Sequence, residues 1–101
     1  MSTINQALGS FKFKNVTADT SVKNQPGYLH GITINAVTTG GVLTLYNNTS
    51  ESAPAIAAIN LATRAAGANV PQFLQFDIEF STGLYAGFDA TLAADLTFSY
   101  K

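Results

Sequence analysis

The sequence predicts an all-β fold, an antiparallel β-sandwich of seven or eight short strands, with a jelly roll among the topologies open to it. Three observations carry the prediction. Short segments alternate apolar and polar residues with the period of two expected of a strand that buries one face. Clusters of turn-forming residues, such as Asn24-Gln25-Pro26-Gly27 and Ser81-Thr82-Gly83, punctuate the chain at intervals of roughly 10 residues. No segment sustains a helical period long enough for a helix to stand on its own.

The first element, residues 1–10, is small and polar apart from Ile4 and Leu8. It reads as an arm preceding a single sandwich domain at 11–101, with Ile4 and Leu8 as its candidate partner contacts. Phe11-Lys12-Phe13-Lys14 is expected to form an edge strand, aromatic side chains inward and lysines outward to discourage stray pairing. Ala18 to Lys23 gives a weak second strand, and Pro26-Gly27 suits the centre of a type II turn. In Tyr28 to Ala36 the even positions carry most of the apolar mass. Thr38-Thr39-Gly40-Gly41 is expected to reverse the chain as a hairpin turn, so that Leu43 and Leu45 become cross-strand partners of Ile32 and Ile34. A polar loop from Asn48 to Ser52 and then Pro54 lead to a third strand carrying Ile56, Ile59 and Leu61. The three strands together read as a β-meander.

Ala62 to Ala68 reads as a loop, with one helical turn as the alternative. Gln72 to Phe80 is the cleanest alternation in the chain: Leu74, Phe76, Ile78 and Phe80 face one way, Phe73, Gln75, Asp77 and Glu79 the other. A slip of one residue would bury two carboxylates, so its register is strongly specified. Leu84 to Phe88 is a short strand interrupted by Gly87, Asp89 to Ala94 a turn, and Leu96, Phe98 and Tyr100 the inward positions of a last strand.

A chain of 101 residues supports one core. Charged residues make up 11% of it, under half of the roughly 25% usual for soluble domains. Such a surface suits a closed oligomer or attachment to a larger assembly, where neighbours cover apolar area. The net charge is −1 and the five basic residues are scattered, so no patch exists to neutralise phosphates and nucleic acid is not an expected partner. The absence of cysteine leaves no disulfide or thiolate metal site. Met1 to Gly9 lacks the pattern of an export signal, and no apolar run approaches the roughly 18 residues of a membrane span.

Few residues have the makings of a reaction centre. His30, the one imidazole, sits in a strand pattern and reads as structural. Asp77 and Glu79 would stand about 7 Å apart along a strand, the kind of spacing a glycosidase uses, but a solvated polar face explains them as well. Asp89 and Asp95 lack the pattern of a calcium loop, and no metal or other cofactor is expected. Phe73, Tyr85 and Phe88 are better candidates, as aromatics on a polar face or in a loop are often contact residues.

Taken in order, PGYLHGITIN, a glycine-rich turn, GVLTLYNNTS, a short strand ending IAAINL, VPQFLQFDIEFSTGL and a closing ADLTFSY resemble the small β-sandwich proteins among the virion structural proteins of tailed bacteriophages. That class includes cement (decoration) proteins and head-fibre modules. The resemblance spans residues 26–101. It implies a non-enzymatic protein on the capsid exterior, assembled in the host cytoplasm, with the major capsid protein as its partner. Self-association is expected, a threefold ring being preferred because quasi-threefold positions between capsomers are natural cement sites. The alternative is a tail or fibre module in which Tyr46, Tyr85 and Phe88 stack on the sugar rings of a host-surface glycan.

Overall fold

Eight strands form in the computed structural model of the chain, which describes residues 11–65 and 71–101. The arm at 1–10, with Ile4 and Leu8, and the end of the loop expected at 62–68 lie outside the described residues. The strands are β1 (Lys12–Val16), β2 (Thr20–Lys23), β3 (Gly27–Thr39), β4 (Gly41–Tyr46), β5 (Ala55–Leu61), β6 (Gln72–Phe80), β7 (Leu84–Phe88) and β8 (Ala93–Tyr100). Among the described residues no helix is long and apolar enough to cross a membrane. Two four-stranded sheets, ordered β1-β8-β3-β6 and β2-β7-β4-β5, are antiparallel throughout. The pairs β1 with β8, β2 with β7, β3 with β6 and β4 with β5 fold the first half of the chain against the second in reverse order. This nesting is a jelly roll.

The strands fall close to where the sequence puts them, but the expected meander does not form. β3 and β4 lie in different sheets: Ile32 pairs with Leu74 and Phe98, while Leu43 and Leu45 pair with Ile59 and Ala57. The four aliphatic side chains meet in the core between the sheets. Gly40 and Gly41 serve a crossing between layers, where backbone segments crowd together. A Cβ on Gly40 would lie 2.6 Å from the Leu61 carbonyl oxygen, and one on Gly41 2.8 Å from the Leu92 nitrogen, closer than such atoms can approach.

Nor does β3 keep one parity. Its buried hydrophobic side chains are Leu29, Ile32, Ile34 and Val37, and register shifts at Leu29/Gly31 and Ile34/Ala36 switch the alternation twice. Tyr28 and His30 therefore stand on the outer face, contrary to the even-position reading. β1 is an edge strand as expected, yet its faces are inverted. Val16 is buried and fixes the parity, so Phe13 projects outward at 78% exposure and Lys14 lies on the inner side. At a sheet rim the lysine stem can lie along apolar surface while its amine reaches water. Gly87 does not interrupt β7, which runs through it.

β6 alternates as expected, with Phe80 buried and Phe73, Gln75, Asp77 and Glu79 exposed. It is an edge strand, however, and Phe76 is only partly buried. Of the fully enclosed phenylalanines Phe80 and Phe98, Phe98 is on an interior strand, β8, between β1 and β3. Phe98→Ala is expected to cost about 3 to 5 kcal/mol, since neighbours on both sides limit collapse of the cavity. Phe76→Ala should cost clearly less, and Phe13→Ala least. Urea denaturation midpoints of the three variants check this order.

Candidate functional site

A paired irregularity in β3 and β6 builds a cluster on the outer face of the first sheet. Between Leu29 and Gly31 of β3, β6 passes from Ile78 to Gln75, so Phe76 and Asp77 both oppose His30. At the same level β8 advances by one residue, from Tyr100 to Ser99. Asp77 takes up the excess chain with a φ of 52°, in the left-handed region that only glycine, asparagine and aspartate visit readily. Bulges of this kind re-aim side chains, and here the result is convergence on one carboxylate. His30 Nδ1 lies 2.7 Å from Asp77 Oδ1, the Tyr28 hydroxyl donates to the same oxygen at 3.2 Å, and Gln75 Nε2 donates to Oδ2.

These contacts hold the Asp77 carboxyl below its ordinary value, the Gln75 hydrogen bond contributing most and His30 next. Partial burial, reinforced by the charge of Asp77, pushes the Tyr28 hydroxyl up and keeps it a donor. The carboxylate is thus ionised and fixed in orientation at neutral pH, with His30 35% exposed and Asp77 32%. With its proton on Nδ1, the His30 ring presents Nε2 away from Asp77.

Aromatic rings surround this polar centre. Phe11 stacks on His30 with centroids 4.6 Å apart and planes at 19°, while Lys101 Nζ stands 4.9 Å from the centre of the same phenyl ring. Phe73, 47% exposed, leans on His30 at 5.4 Å. Its ring lies where a Cβ on Gly31 would be, so glycine is what lets the ring settle against the sheet. Phe13 is in register with Ser99, which is in turn opposite Gly31. The face therefore carries aromatic surface on both sides of Ser99, around one rigid anion. Tyr28 also links it to an open pocket of 780 Å³ at the end of the sandwich, beside Lys23, Glu79 and Lys101.

The other expected contact residues divide between locations. Tyr46 and Tyr85 are directly opposite each other on the outer face of the second sheet, with rings 6.5 Å apart at 59°. Burial, then the charges of Asp19 and Glu51, push the Tyr85 hydroxyl up. A pocket of 230 Å³ beside Tyr46 includes Thr44 and Glu51. Phe88 is opposite Leu43 and packs against the core, and it also lines the pocket beside Tyr46. Asp89 accepts backbone hydrogen bonds from Val42, Thr91 and Leu92, which hold its carboxyl low. Asp95 accepts from the Asn15 and Asn35 amides. Both act as fasteners of the fold, and among the described residues no three His, Asp or Glu side chains converge to hold a metal.

Phe73 was legible from its place on the polar face. The link between His30 and Asp77 was not, since β6 alternates without a break and nothing in its pattern announces that two of its residues oppose one. Asp77→Gly should leave the protein more stable than Asp77→Ala, because both lose the carboxylate but only alanine resists the left-handed backbone. The folded Asp77 value lies below the ordinary 3.8. The ionised group therefore stabilises the fold above that pH, and the contribution is lost as pH falls through the folded value. The stability gap between the native protein and Asp77→Asn should thus be flat near neutrality and shrink below about pH 4, as urea melts at stepped pH will read. No protein-family model, curated protein or solved structure matches the chain, so its functional reading rests on this geometry.

Proposed function

We propose that the chain is a non-enzymatic virion structural protein, a cement or decoration protein that binds the outside of a capsid and bridges neighbouring capsomers. The observation that carries this reading is the outer face of the first sheet. Phe13 and Phe73, the large hydrophobic side chains most exposed among the described residues, stand on that one face, in a chain with 11% charge. An apolar patch around a fixed carboxylate is suited to a partner surface that pairs an apolar region with a hydrogen-bond donor. Because three donors already orient Asp77, docking needs little reordering of that group.

Burying the exposed parts of both rings would contribute roughly 2 to 4 kcal/mol before association costs, which consume a comparable amount. Each copy would thus hold weakly and the shell would gain by repetition, each copy spanning two subunits that must part for the shell to open. The Phe13→Ser, Phe73→Ser double variant should keep its melting temperature within a few degrees and lose about tenfold or more in occupancy on stripped heads. Equal occupancy in a competition with the native protein would sink the reading.

A second reading, a tail or fibre module that binds a host-surface glycan, is favoured by the Tyr46 and Tyr85 pair beside Glu51. Aromatic rings next to a carboxylate suit the apolar face and hydroxyls of a sugar. Specific binding on a glycan array, abolished by Tyr85→Ala, would support it over capsid attachment.

A further inference from the structure

The sandwich has four edge strands, and three of them carry devices that block pairing. β1 has Lys12 and Lys14. β2 is four residues long, with a register shift before Lys23. β6 carries the bulge at Asp77 and the charge of Glu79. Such features are how natural sheets keep their edges from pairing with other chains. β5 is the least guarded: its sequence is AIAAINL, seven residues without a charge, a proline or a glycine, and its one irregularity lies at its start, between Ala55 and Ala57. Among the described residues no strand pairs with its outer edge.

A second observation concerns the core. Eight apolar side chains pack against it while remaining partly exposed, and six of them come from β5 (Ile56, Ala57, Ile59) and β6 (Leu74, Phe76, Ile78). Both are edge strands and both border the same core cluster, so the core is least covered beside this uncharged edge. An edge with open backbone groups and an incompletely covered apolar margin beneath it is half of an interface.

We propose that this edge pairs with the same edge of a second copy of the chain, β5 against β5, antiparallel about a twofold axis centred on Ala58. The absence of charge argues for a second copy over an unrelated strand. A charged edge would set like charges opposite each other across a twofold, whereas this one faces its own image without repulsion. The register also fits. Ala57 and Ile59 point inward, opposite Leu45 and Leu43, and Ala58 points outward, opposite Thr44. Centring on Ala58 sets Ala57 against Ile59 of the second copy, small against large, on the inner face, and alanine against alanine on the outer face. Twofold pairing uses up the edge in both copies, so assembly stops at two and does not run on into fibres. This arrangement takes the place of the threefold ring and is independent of where the protein attaches.

The test is a charge swap on the full chain, read by sedimentation velocity from the low micromolar to the hundreds of micromolar. The native protein should be a dimer in the tens of micromolar. Ala58→Lys and Ala58→Glu each put like charges on the axis and should weaken association by roughly tenfold or more, while an equimolar mixture of the two should recover the dimer. Both substitutions are on the exposed outer face, so circular dichroism and melting temperature should hold. If Ala58→Lys does not fold, Ala58→Arg, at the same outward and exposed position, takes its place with Ala58→Asp. A native monomer over the whole range, a trimer, or variants that associate as the native protein does would each overturn the proposal.

Discussion

A strand of 13 residues cannot alternate strictly and also bury Leu29, Ile32, Ile34 and Val37, because the first and last of these sit at odd positions and the middle two at even ones. The fold resolves this with the register shifts of β3 at Leu29/Gly31 and Ile34/Ala36, and much else depends on that solution. Each shift costs ladder hydrogen bonds locally, yet leaving Leu29 or Val37 outside would forfeit about 1.5 to 3 kcal/mol of burial apiece. β3 lies between β8 and β6, so its irregularity is passed to both neighbours. The answering excess in β6 brings Asp77 under His30. The polar cluster on the surface is a by-product of keeping the core apolar.

Two aspartates with lowered pKa values illustrate different uses of the same chemistry. Asp89 binds the amides of Val42, Thr91 and Leu92, tying the start of β4 to the turn between β7 and β8. Its acceptors are taken up by backbone, which suits a residue that holds strands together. Asp77 is held by three side chains, on an open face among aromatic rings. Ordering an exposed side chain costs conformational entropy, and here that cost has been met within the folded state, where a partner can benefit from it.

The all-β class, the strand positions and the faces of β6 and β8 were legible in the sequence because alternation is a local signal. Pairing was not. Thr38-Thr39-Gly40-Gly41 has the composition of a hairpin, and only the position of Leu61 and Leu92 against those glycines shows that they accommodate crowding at a layer crossing. Phe13 misled for a related reason. Alternation says that Phe13 and Lys14 face opposite ways, but which of them faces inward is decided by Val16, at the far end of a five-residue strand. The candidate site was half visible: Phe73 stood out on its own strand, whereas His30 and Asp77 are 47 residues apart and meet only through the bulge.

The nested pairing also sets the order in which the chain can fold. β4 and β5 adjoin in sequence and can meet early, but β1 must wait for β8, with Asn15 finding Asp95 across 80 residues. Closing long loops before contacts reward them makes such topologies slow to fold. On the ribosome, β1 and β2 emerge before the other six strands and have no partner until β7 and β8 follow. Lys12, Lys14 and Lys23 lie in those two strands, so three of the five basic residues protect the segments that spend longest unpaired. Charge in this sequence is scarce, and most of the positive charge is placed where waiting is longest.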